Sequence, residues 1–330
     1  MGSNSTRRAK SKTAKIPSVS GSSCAYLSHV HVAGNVSLQR KLVVGGNLVV
    51  EGNLKAREIY CLGSISVTGN ISAENIVVGR TVHAGGSIVA TNLVTGESTD
   101  KIAKRLGYNE APIDYIDCLV DESTLHNLGT CESPEADISV KATSLRCDSI
   151  CSHACIEVDG DFVAENAMFT HLVAGDVYVS ESLSACSSVE SGQDIYIGKG
   201  AQCGTLYSTR NLHADSSLER IESITVRGHA FVDGDTHVGE LEVGHWIACT
   251  GNITCDRYIN AGMQIVANGA ITAGQDYGVL AGLAVPRSQW PIKGFISSPS
   301  KPKNILTGKY VPGTTAEDLL SEIHPRPSTT

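Results

Sequence analysis

The sequence has few aromatic residues and no long apolar run. Phe, Trp and Tyr make up 5% of its 330 residues, which predicts a core too narrow for large rings. No segment approaches the ~18 consecutive apolar residues of a membrane-spanning helix, and no apolar stretch stands near the N-terminus. Its eleven cysteines lack the spacing of a small disulfide scaffold. These features indicate a reducing compartment, so we expect a cytoplasmic protein.

The chain also lacks the common signatures of catalysis. It contains no nucleophile motif around Ser or Cys, no glycine-rich phosphate-binding loop and no dinucleotide fingerprint. Its eleven histidines stand singly in the sequence, without an acid or base partner. These absences favour a protein that works without catalysis and without a cofactor.

What the sequence has instead is a repeat of about 17 residues. Apolar pairs two positions apart recur at steps of six, six and five, so that Leu42, Ile59, Ile76 and Leu93 occupy equivalent positions. Because residues i and i+2 of a strand face the same side, each pair points inward from a short strand. Three strands per repeat predict an all-β, three-sided parallel β-helix of about 17–18 residues per coil, which buries its core by stacking coils.

The repeat is interrupted once and is flanked by segments without it. We predict a disordered basic tail at 1–22, solenoid coils at 23–95, a helical insertion at 96–137, further coils at 138–284, and a C-terminal cap and tail at 285–330. The two coil segments correspond to about a dozen coils.

Local signals support these boundaries. Ser98 can act as the N-cap of an inserted helix, and Thr314 with Glu317 forms a capping-box pattern before a C-terminal helix. Corner dipeptides such as Gly69-Asn70 are expected to supply the positive φ angles of sharp turns. The C-terminal cap is expected to cover the last coil and to prevent end-to-end pairing.

Charge is unevenly distributed along the chain. Residues 1–22 carry five basic and no acidic residues, so the rest carries a net charge of −13 within a total of −8. An acidic solenoid repels nucleic acid and favours basic proteins. We therefore expect a protein partner with a basic surface, and no binding of nucleic acid or membrane by the coils. The basic head is compatible with a solvated tail, a nucleic-acid contact or a secretion address.

The interruption and the cap are the predicted contact surface, because insertions in a solenoid lie on one side and often bind partners. The candidate partner-binding residues are Arg105, Tyr108, Asp114, Tyr115, Asp117 and Trp290. The alternative is a structural flap that covers an edge of a coil.

A cysteine-rich segment leaves a metal site open as an alternative. The residues with ligand chemistry for zinc are Cys147, Cys151, His153 and Cys155, with His171 on the next coil. Ligands in a row along one strand are too linear for a tetrahedral site, and cysteine also packs like alanine inside a coil. We therefore expect core packing and no metal.

Two acidic turns and the repeat itself raise enzymatic alternatives. Asp159–Asp161 and Asp233–Asp235 could bind calcium or cleave acidic polysaccharides, although Asp-Gly is also ordinary turn chemistry. Acyltransferases with hexapeptide repeats place their small residue four positions after the aliphatic one. The pairs in this chain are two apart, which disfavours that class.

The repeat units resemble those of a known family. The stretches 46–54, Gly-Asn-Leu-Val-Val-Glu-Gly-Asn-Leu, and 84–90, Ala-Gly-Gly-Ser-Ile-Val-Ala, resemble bactofilins and other glycine-rich bacterial solenoids. The resemblance covers roughly two thirds of the chain and implies a bacterial, right-handed β-helix that assembles into cytoskeletal polymers. Bactofilin polymerisation uses bare coil ends, so the insertion and the aromatic cap depart from this pattern.

The sequence therefore predicts a non-catalytic protein-interaction scaffold. One concrete form is an inhibitor or immunity protein that binds a basic partner. The first alternative is a bactofilin-like, self-assembling structural protein. The second is a carbohydrate-active β-helix enzyme, which requires a groove of converging Asp, Arg and Lys side chains.

Overall fold

The protein folds as a parallel β-solenoid of about 15 turns with a few short helices, which confirms the predicted fold class. The computed structural model describes residues 14–26, 28–98, 100–102, 138–152 and 154–320. The chain forms two compact units, Met1–Ile88 with Val94–Glu135, and Val89–Leu93 with Ala136–Thr330. No helix in the described part of the chain is long and apolar enough to cross a bilayer.

The first unit contains short strands that return to the same wall after three steps. Strand β4 pairs in parallel with β1 and β7, and β5 and β6 follow the same rule. The strands are β1 (Ala14–Ile16), β2 (Val19–Gly21), β3 (Cys24–Tyr26), β4 (Val30–Val32), β5 (Val36–Leu38), β6 (Lys41–Val44), β7 (Leu48–Val50), β8 (Leu54–Lys55), β9 (Glu58–Cys61), β10 (Ile65–Val67), β11 (Ile71–Val78) and β12 (Val82–Ala84). Strand β13 (Ser87–Thr95) has residues in both units.

The second unit contains longer strands, because some of its corners stay extended. Its strands are β14 (Ile138–Ala142), β15 (Ser144–Ser152), β16 (Cys155–Val158), β17 (Phe162–Ala174), β18 (Val177–Ser191), β19 (Ile195–Ile197), β20 (Gly200–Ser208), β21 (Leu212–Ala214), β22 (Leu218–Val226), β23 (Ala230–Val232), β24 (Thr236–Val243), β25 (Ile247–Cys249), β26 (Ile253–Cys255), β27 (Ile259–Ala261), β28 (Ile265–Ala267), β29 (Ile271–Thr272), β30 (Val279–Leu280), β31 (Phe295–Ser297), β32 (Ile305–Thr307) and β33 (Lys309–Tyr310). A 3-10 turn (Arg287–Gln289) precedes helix α1 (Trp290–Lys293), and helix α2 (Ala316–Leu320) follows the last strand.

The core consists of the inward apolar pairs that the repeat predicts. Leu42, Ile59 and Ile76 pair in register and are buried. Contrary to the expected narrow core, one region accommodates two large rings. Phe162 and Phe169 are both fully buried and meet edge to face, with their centroids 6.0 Å apart. Small buried residues nearby on β17, Ala164 and Ala167, leave the volume that these rings need.

Side-chain amides connect successive corners of the first unit. The Asn53 side-chain oxygen accepts a hydrogen bond from the Asn70 backbone N–H at 2.9 Å, and Asn70 does the same for Ser87 at 2.8 Å. The prediction that corner glycines supply positive φ is wrong for this ladder, because Gly69 and the glycines at the same position of neighbouring coils do not have positive φ. A Cβ on Gly69 would instead collide with the Asn53 amide oxygen. Glycine is needed here for space.

The solenoid extends beyond both predicted limits. Strands β1 and β2 lie within the segment predicted to be a disordered tail, and they pair in register with β4 and β5. At the other end, β31 and β33 lie within the predicted cap and continue the wall of β28. The low apolar content of these segments hid their period. Residues 1–13 and 321–330 lie outside the described residues.

The start of the insertion is helical, as expected. The Ser98 hydroxyl accepts a hydrogen bond from the Lys101 N–H at 3.4 Å, and residues 100–102 are helical. Ile102 is buried against outward-facing Tyr60 and Val77. This contact agrees with the alternative reading of a flap over a coil. Residues 103–137 lie outside the described residues.

The cap differs from the prediction in both position and capping pair. Helix α2 packs on the outer face of a wall, beside β25, rather than across the end of a coil. Its capping box joins Thr315 to Asp318 instead of Thr314 to Glu317. The Thr315 N–H donates to the Asp318 carboxylate at 2.7 Å, and the Asp318 N–H donates to the Thr315 hydroxyl at 3.3 Å. The prediction missed the pair by one residue because either threonine fits the pattern.

Candidate functional site

An outward-facing column of rings lies on one wall of the second unit. Tyr178, Tyr196, His213 and Phe231 occupy the same register position on consecutive coils. Each stands between two inward residues of its strand and therefore points away from the core. We refer to these four residues as the aromatic stripe.

The rings of the aromatic stripe stack on one another. The centroids of Tyr178 and Tyr196 lie 4.5 Å apart with nearly parallel planes, and those of Tyr196 and His213 lie 5.4 Å apart. His213 and Phe231 are 4.9 Å apart and tilted. Because the faces contact each other, the ring edges point to solvent. The stripe is a rigid surface with pre-ordered side chains, which lowers the entropy cost of binding.

Carboxylates flank the aromatic stripe on both sides. Asp176 and Asp194 directly precede two of its strands, and Asp215 and Asp233 directly follow two others. The Asp215 carboxylate accepts hydrogen bonds from the Tyr196 hydroxyl and from Nε2 of His213, the latter at 2.7 Å. The surface therefore has aromatic rings along its centre and carboxylates along both edges, one of which, Asp194, also has the Arg210 guanidinium at 3.5 Å.

The coils that surround the aromatic stripe also carry a negative net charge. Residues 138–284 contain 18 acidic residues and seven Lys or Arg residues, a net charge of −11. The corresponding balance for the described residues 14–102 is +2. The acidic character predicted for the whole solenoid therefore belongs to the coils that carry the aromatic stripe.

One end of the aromatic stripe is covered by the protein itself. Phe231 is followed in register by Ala248 and Val266, which also face outward. These positions are buried under Ala316 and Leu319 of α2. Tyr178, in contrast, is 37% exposed, and the His213 side chain is 33% exposed. Within the described residues, the stripe thus continues from a helix-covered part into an uncovered part.

Asn268, a corner residue, holds the start of the covering helix, and Ser297 exchanges hydrogen bonds with Thr314 just before it. The Asn268 side-chain oxygen accepts a hydrogen bond from the Ala316 N–H at 2.8 Å, and its amide nitrogen donates to both Glu317 carboxylate oxygens at 3.0 and 2.9 Å. The bonds from Asn268 lower the pKa of Glu317, and the backbone and side chain of Thr315 lower the pKa of Asp318.

Family models, curated protein sequences and solved structures were compared with this chain, and none matches. The bactofilin resemblance stays a prediction from the repeat units.

The aromatic stripe was not among the residues predicted from the sequence. Arg105, Tyr108, Asp114, Tyr115 and Asp117 lie outside the described residues. A usable signal did exist, because the ring positions are spaced 18, 17 and 18 residues apart. The period is defined by inward apolar pairs. The prediction therefore assigned the residues between these pairs to solvent and not to a binding surface.

Trp290, the remaining predicted contact residue, is half-buried in α1. Its indole N–H donates to the Gly282 carbonyl at 3.3 Å, and the Arg287 guanidinium lies 5.6 Å from the ring centroid. A Cβ on Gly294 would come within 2.7 Å of the ring. The indole therefore packs on backbone that only glycine leaves open, which is a structural role.

The cysteine segment lies partly inside the solenoid. Cys147 and Cys155 are buried, and Cys155 pairs in register with His171, as expected for the next coil. Burial, followed by the nearby Asp148 charge, raises the pKa of Cys147 to about 12. His153 lies outside the described residues. In the part of the chain that the structure describes, no three His, Cys, Asp or Glu side chains are grouped to hold a metal ion.

The second acidic turn takes part in a corner ladder. The Asp235 carboxylate accepts a hydrogen bond from the Asn252 N–H at 2.6 Å, and Asp233 accepts one from the Thr250 hydroxyl at 2.8 Å. The Asn252 amide oxygen in turn accepts the Ala270 N–H at 2.8 Å. This turn resembles the asparagine corners of the first unit in its chemistry.

A groove of about 570 Å³ lies on a wall of the first unit. Its lining residues are Ser23, Cys24, Ala25, Arg40, Lys41, Val43, Arg57 and Glu58. Lys41 forms an ion pair with Glu58 at 3.1 Å, and Arg57 forms one with Glu74 at 2.7 Å. Because these two cations already bind carboxylates of the next coil, the groove is a weaker candidate than the aromatic stripe.

Proposed function

We propose that this chain is a non-catalytic protein-binding scaffold whose aromatic stripe engages a basic protein. The observation that carries the proposal is the uncovered run of stacked rings between two rows of carboxylates. Aromatic edges and apolar contacts supply affinity, whereas carboxylates attract Lys and Arg side chains and steer their approach. We place this activity in the cytoplasm of a bacterium, in keeping with the cysteine content and the repeat type.

An inhibitor of the immunity type is the concrete form that we favour. A rigid acidic surface suits the occlusion of a basic protein, because little ordering is needed on binding. Such binding is expected to weaken as salt rises, since the flanking carboxylates are partly exposed and their attraction is screened.

Affinity capture with quantitative mass spectrometry tests this proposal. The full chain, the double variant Tyr178→Ser/Tyr196→Ser and the control Tyr207→Ser serve as baits in a lysate of the native cell. Tyr207 lies on strand β20, outside the stripe. We expect basic proteins on the full chain and on the control, and a loss of about tenfold or more on the double variant. Equal capture by all three baits contradicts the proposal, as does enrichment of acidic proteins alone.

Sedimentation of the purified chain separates this function from self-assembly. A binding scaffold sediments as a small species at all concentrations tested. Concentration-dependent polymers would favour the bactofilin-like alternative instead.

A further inference from the structure

The way in which α2 covers the aromatic stripe indicates what the uncovered part accepts. Helix α2 contacts β25, and its apolar cluster includes Phe231, Ala248 and Val266 on three consecutive coils, together with Trp246 and Phe295. Neighbouring strands are ~4.8 Å apart, so three coils span about 10 Å, which is the width of one helix with its side chains. One helix therefore covers three coils.

The uncovered part of the stripe has the same width. Tyr178, Tyr196 and His213 also belong to three consecutive coils and directly precede Phe231 in register. This leaves room for one more helix beside α2. A second helix in this position would pack against the stripe.

The corner that holds α2 has an equivalent on the uncovered part. Asn268, Thr250, Asp233 and Asp215 follow successive strands of this wall, and each backbone N–H bonds to the preceding coil. Asp215 lies three coils, or about 14 Å, before Asn268, which is more than the roughly 8–10 Å between the axes of packed helices, so a second helix there would not overlap α2. Asp215 is therefore at the place where a second helix would begin.

The chemistry of this corner differs from that of Asn268 in one respect. Asn268 donates its amide N–H groups to Glu317. The Asp215 carboxylate has no N–H to donate and already accepts hydrogen bonds from Tyr196 and His213, but its charge still attracts the positive end of a helix and any Lys or Arg in the first turn. The second helix is thus expected to carry a cation where α2 carries Glu317.

We propose that the uncovered stripe is the seat of a basic amphipathic helix of the partner, which lies beside α2 with its first turn at Asp215. The proposal rests on the proposed protein-binding function and specifies the partner's recognition element. The template for its apolar face is the pair Ala316 and Leu319, which are three residues apart on α2.

Fluorescence anisotropy with synthetic peptides tests the proposal. The first probe is a hydrocarbon-stapled peptide of about 14 residues with Leu and Ala at i, i+3, i+4 and i+7 and Lys elsewhere. The second has the same composition in alternating order, which favours a strand, and the third replaces Lys by Glu. We expect the first probe to bind at least about tenfold more tightly than either of the others.

Three protein variants show whether the site is the predicted one. Tyr196→Ser and the nearly isosteric Asp215→Asn are each expected to weaken binding of the first probe by about tenfold, whereas Tyr207→Ser leaves it unchanged. Asp215→Asn keeps the size of the side chain and one acceptor oxygen for the hydrogen bonds from Tyr196 and His213, which limits its effect on the structure of the stripe. Equal binding of the alternating peptide, unchanged binding by both stripe variants, or no saturation at about 1 mM peptide overturns the proposal.

Two other occupants of the stripe, the chain's own insertion and a second copy of the chain, would give different results. If deletion of residues 104–135 increases probe binding by tenfold or more, the chain's own insertion occupies the stripe and the proposal is wrong. A dimer in sedimentation that is lost in Tyr196→Ser identifies a second copy as the occupant and also overturns it. Failure of the peptides together with stripe-dependent capture of a basic protein would reject the helix while leaving the proposed function standing.

Discussion

Some corner glycines in this solenoid make room for side chains of the preceding coil. A Cβ on Gly269 would collide with the Asn252 amide oxygen, which accepts a hydrogen bond from the Ala270 N–H. Gly192 occupies a comparable corner, but its nearest neighbour to a Cβ is the Ala174 carbonyl oxygen at 3.6 Å, an ordinary contact. Gly269 is therefore required for steric reasons, whereas Gly192 reflects only the general preference for glycine in turns.

We expect Gly269→Ala to destabilise the second unit by ~2 kcal/mol, because the methyl group must displace the Asn252 amide and break its hydrogen bond. Gly192→Ala is the matched control and should change the free energy of unfolding little. Urea unfolding followed by circular dichroism measures both variants. Equal stability of the two alanine variants would show that the amide ladder tolerates a methyl group.

At the residue scale, some positions could be predicted from the sequence and others could not. The inward pairs could be predicted because their spacing is set by the two-residue period of a strand. The steric role of Gly69 could not, since it depends on a side chain 16 residues earlier in the chain, Asn53. The contacts of Asp215 with Tyr196 and His213 likewise become visible only when coils are stacked.

Among the elements, α2 depends most clearly on charge. The Glu317 carboxylate is bound by Asn268, and the Asp318 carboxylate by Thr315, so the folded state lowers the pKa of both acids below their ordinary values of 4.5 and 3.8. Groups with lowered pKa stabilise the folded form above their ordinary pKa and lose this effect as the pH falls through the folded-state pKa.

Helix α2 is therefore expected to be held most firmly at neutral pH and to lose part of its docking stability as the pH falls below about 4.5. Hydrogen exchange of α2 with mass-spectrometric detection, at pH values from neutral to acid, measures this change. Glu317→Gln removes one titrating group and should make the loss of protection less dependent on pH. Constant protection of α2 down to about pH 3 in the unmodified chain would contradict the expectation.

Element boundaries illustrate why sequence patterns locate helices only approximately. Thr314 and Thr315 both precede an acidic residue at the right distance, and the structure uses Thr315 with Asp318. The place where α2 docks on the wall was even harder to predict from the sequence. The docking of α2 on Ala248 and Val266 depends on outward residues that are small or aliphatic, and other coils also have outward apolar residues, such as Val173, that no helix in the described part of the chain covers.

At the scale of the whole second unit, stability comes from contacts between neighbouring coils. In stacked-repeat folds each repeat contacts only its neighbours, so a local defect spreads over a short distance. Leu183 is an inward residue whose register neighbours are Ala167 and Ala201. The Leu183 side chain therefore fills most of the core volume between these two alanines.

Leu183→Ala is expected to cost ~2–5 kcal/mol, since a cavity remains between two alanines. Hydrogen exchange should show loss of protection in β17, β18 and β20, while β26 and β29 keep theirs. Gln202→Ala, an exposed position on the same wall, serves as the control. Uniform loss of protection along the unit would indicate global cooperativity and contradict nearest-neighbour behaviour.

The amide ladders also constrain how such a gene can change in length. Asn53 bonds to the residue 17 positions later, and Asn252 to the residue 18 positions later. Because both coil lengths keep the corner bond, a change of one residue within a coil is tolerated, whereas loss of a larger part of a coil leaves a corner without its partner. Descendants of this sequence are therefore expected to differ in length by whole coils or by single residues within a coil, and not by larger fractions of a coil.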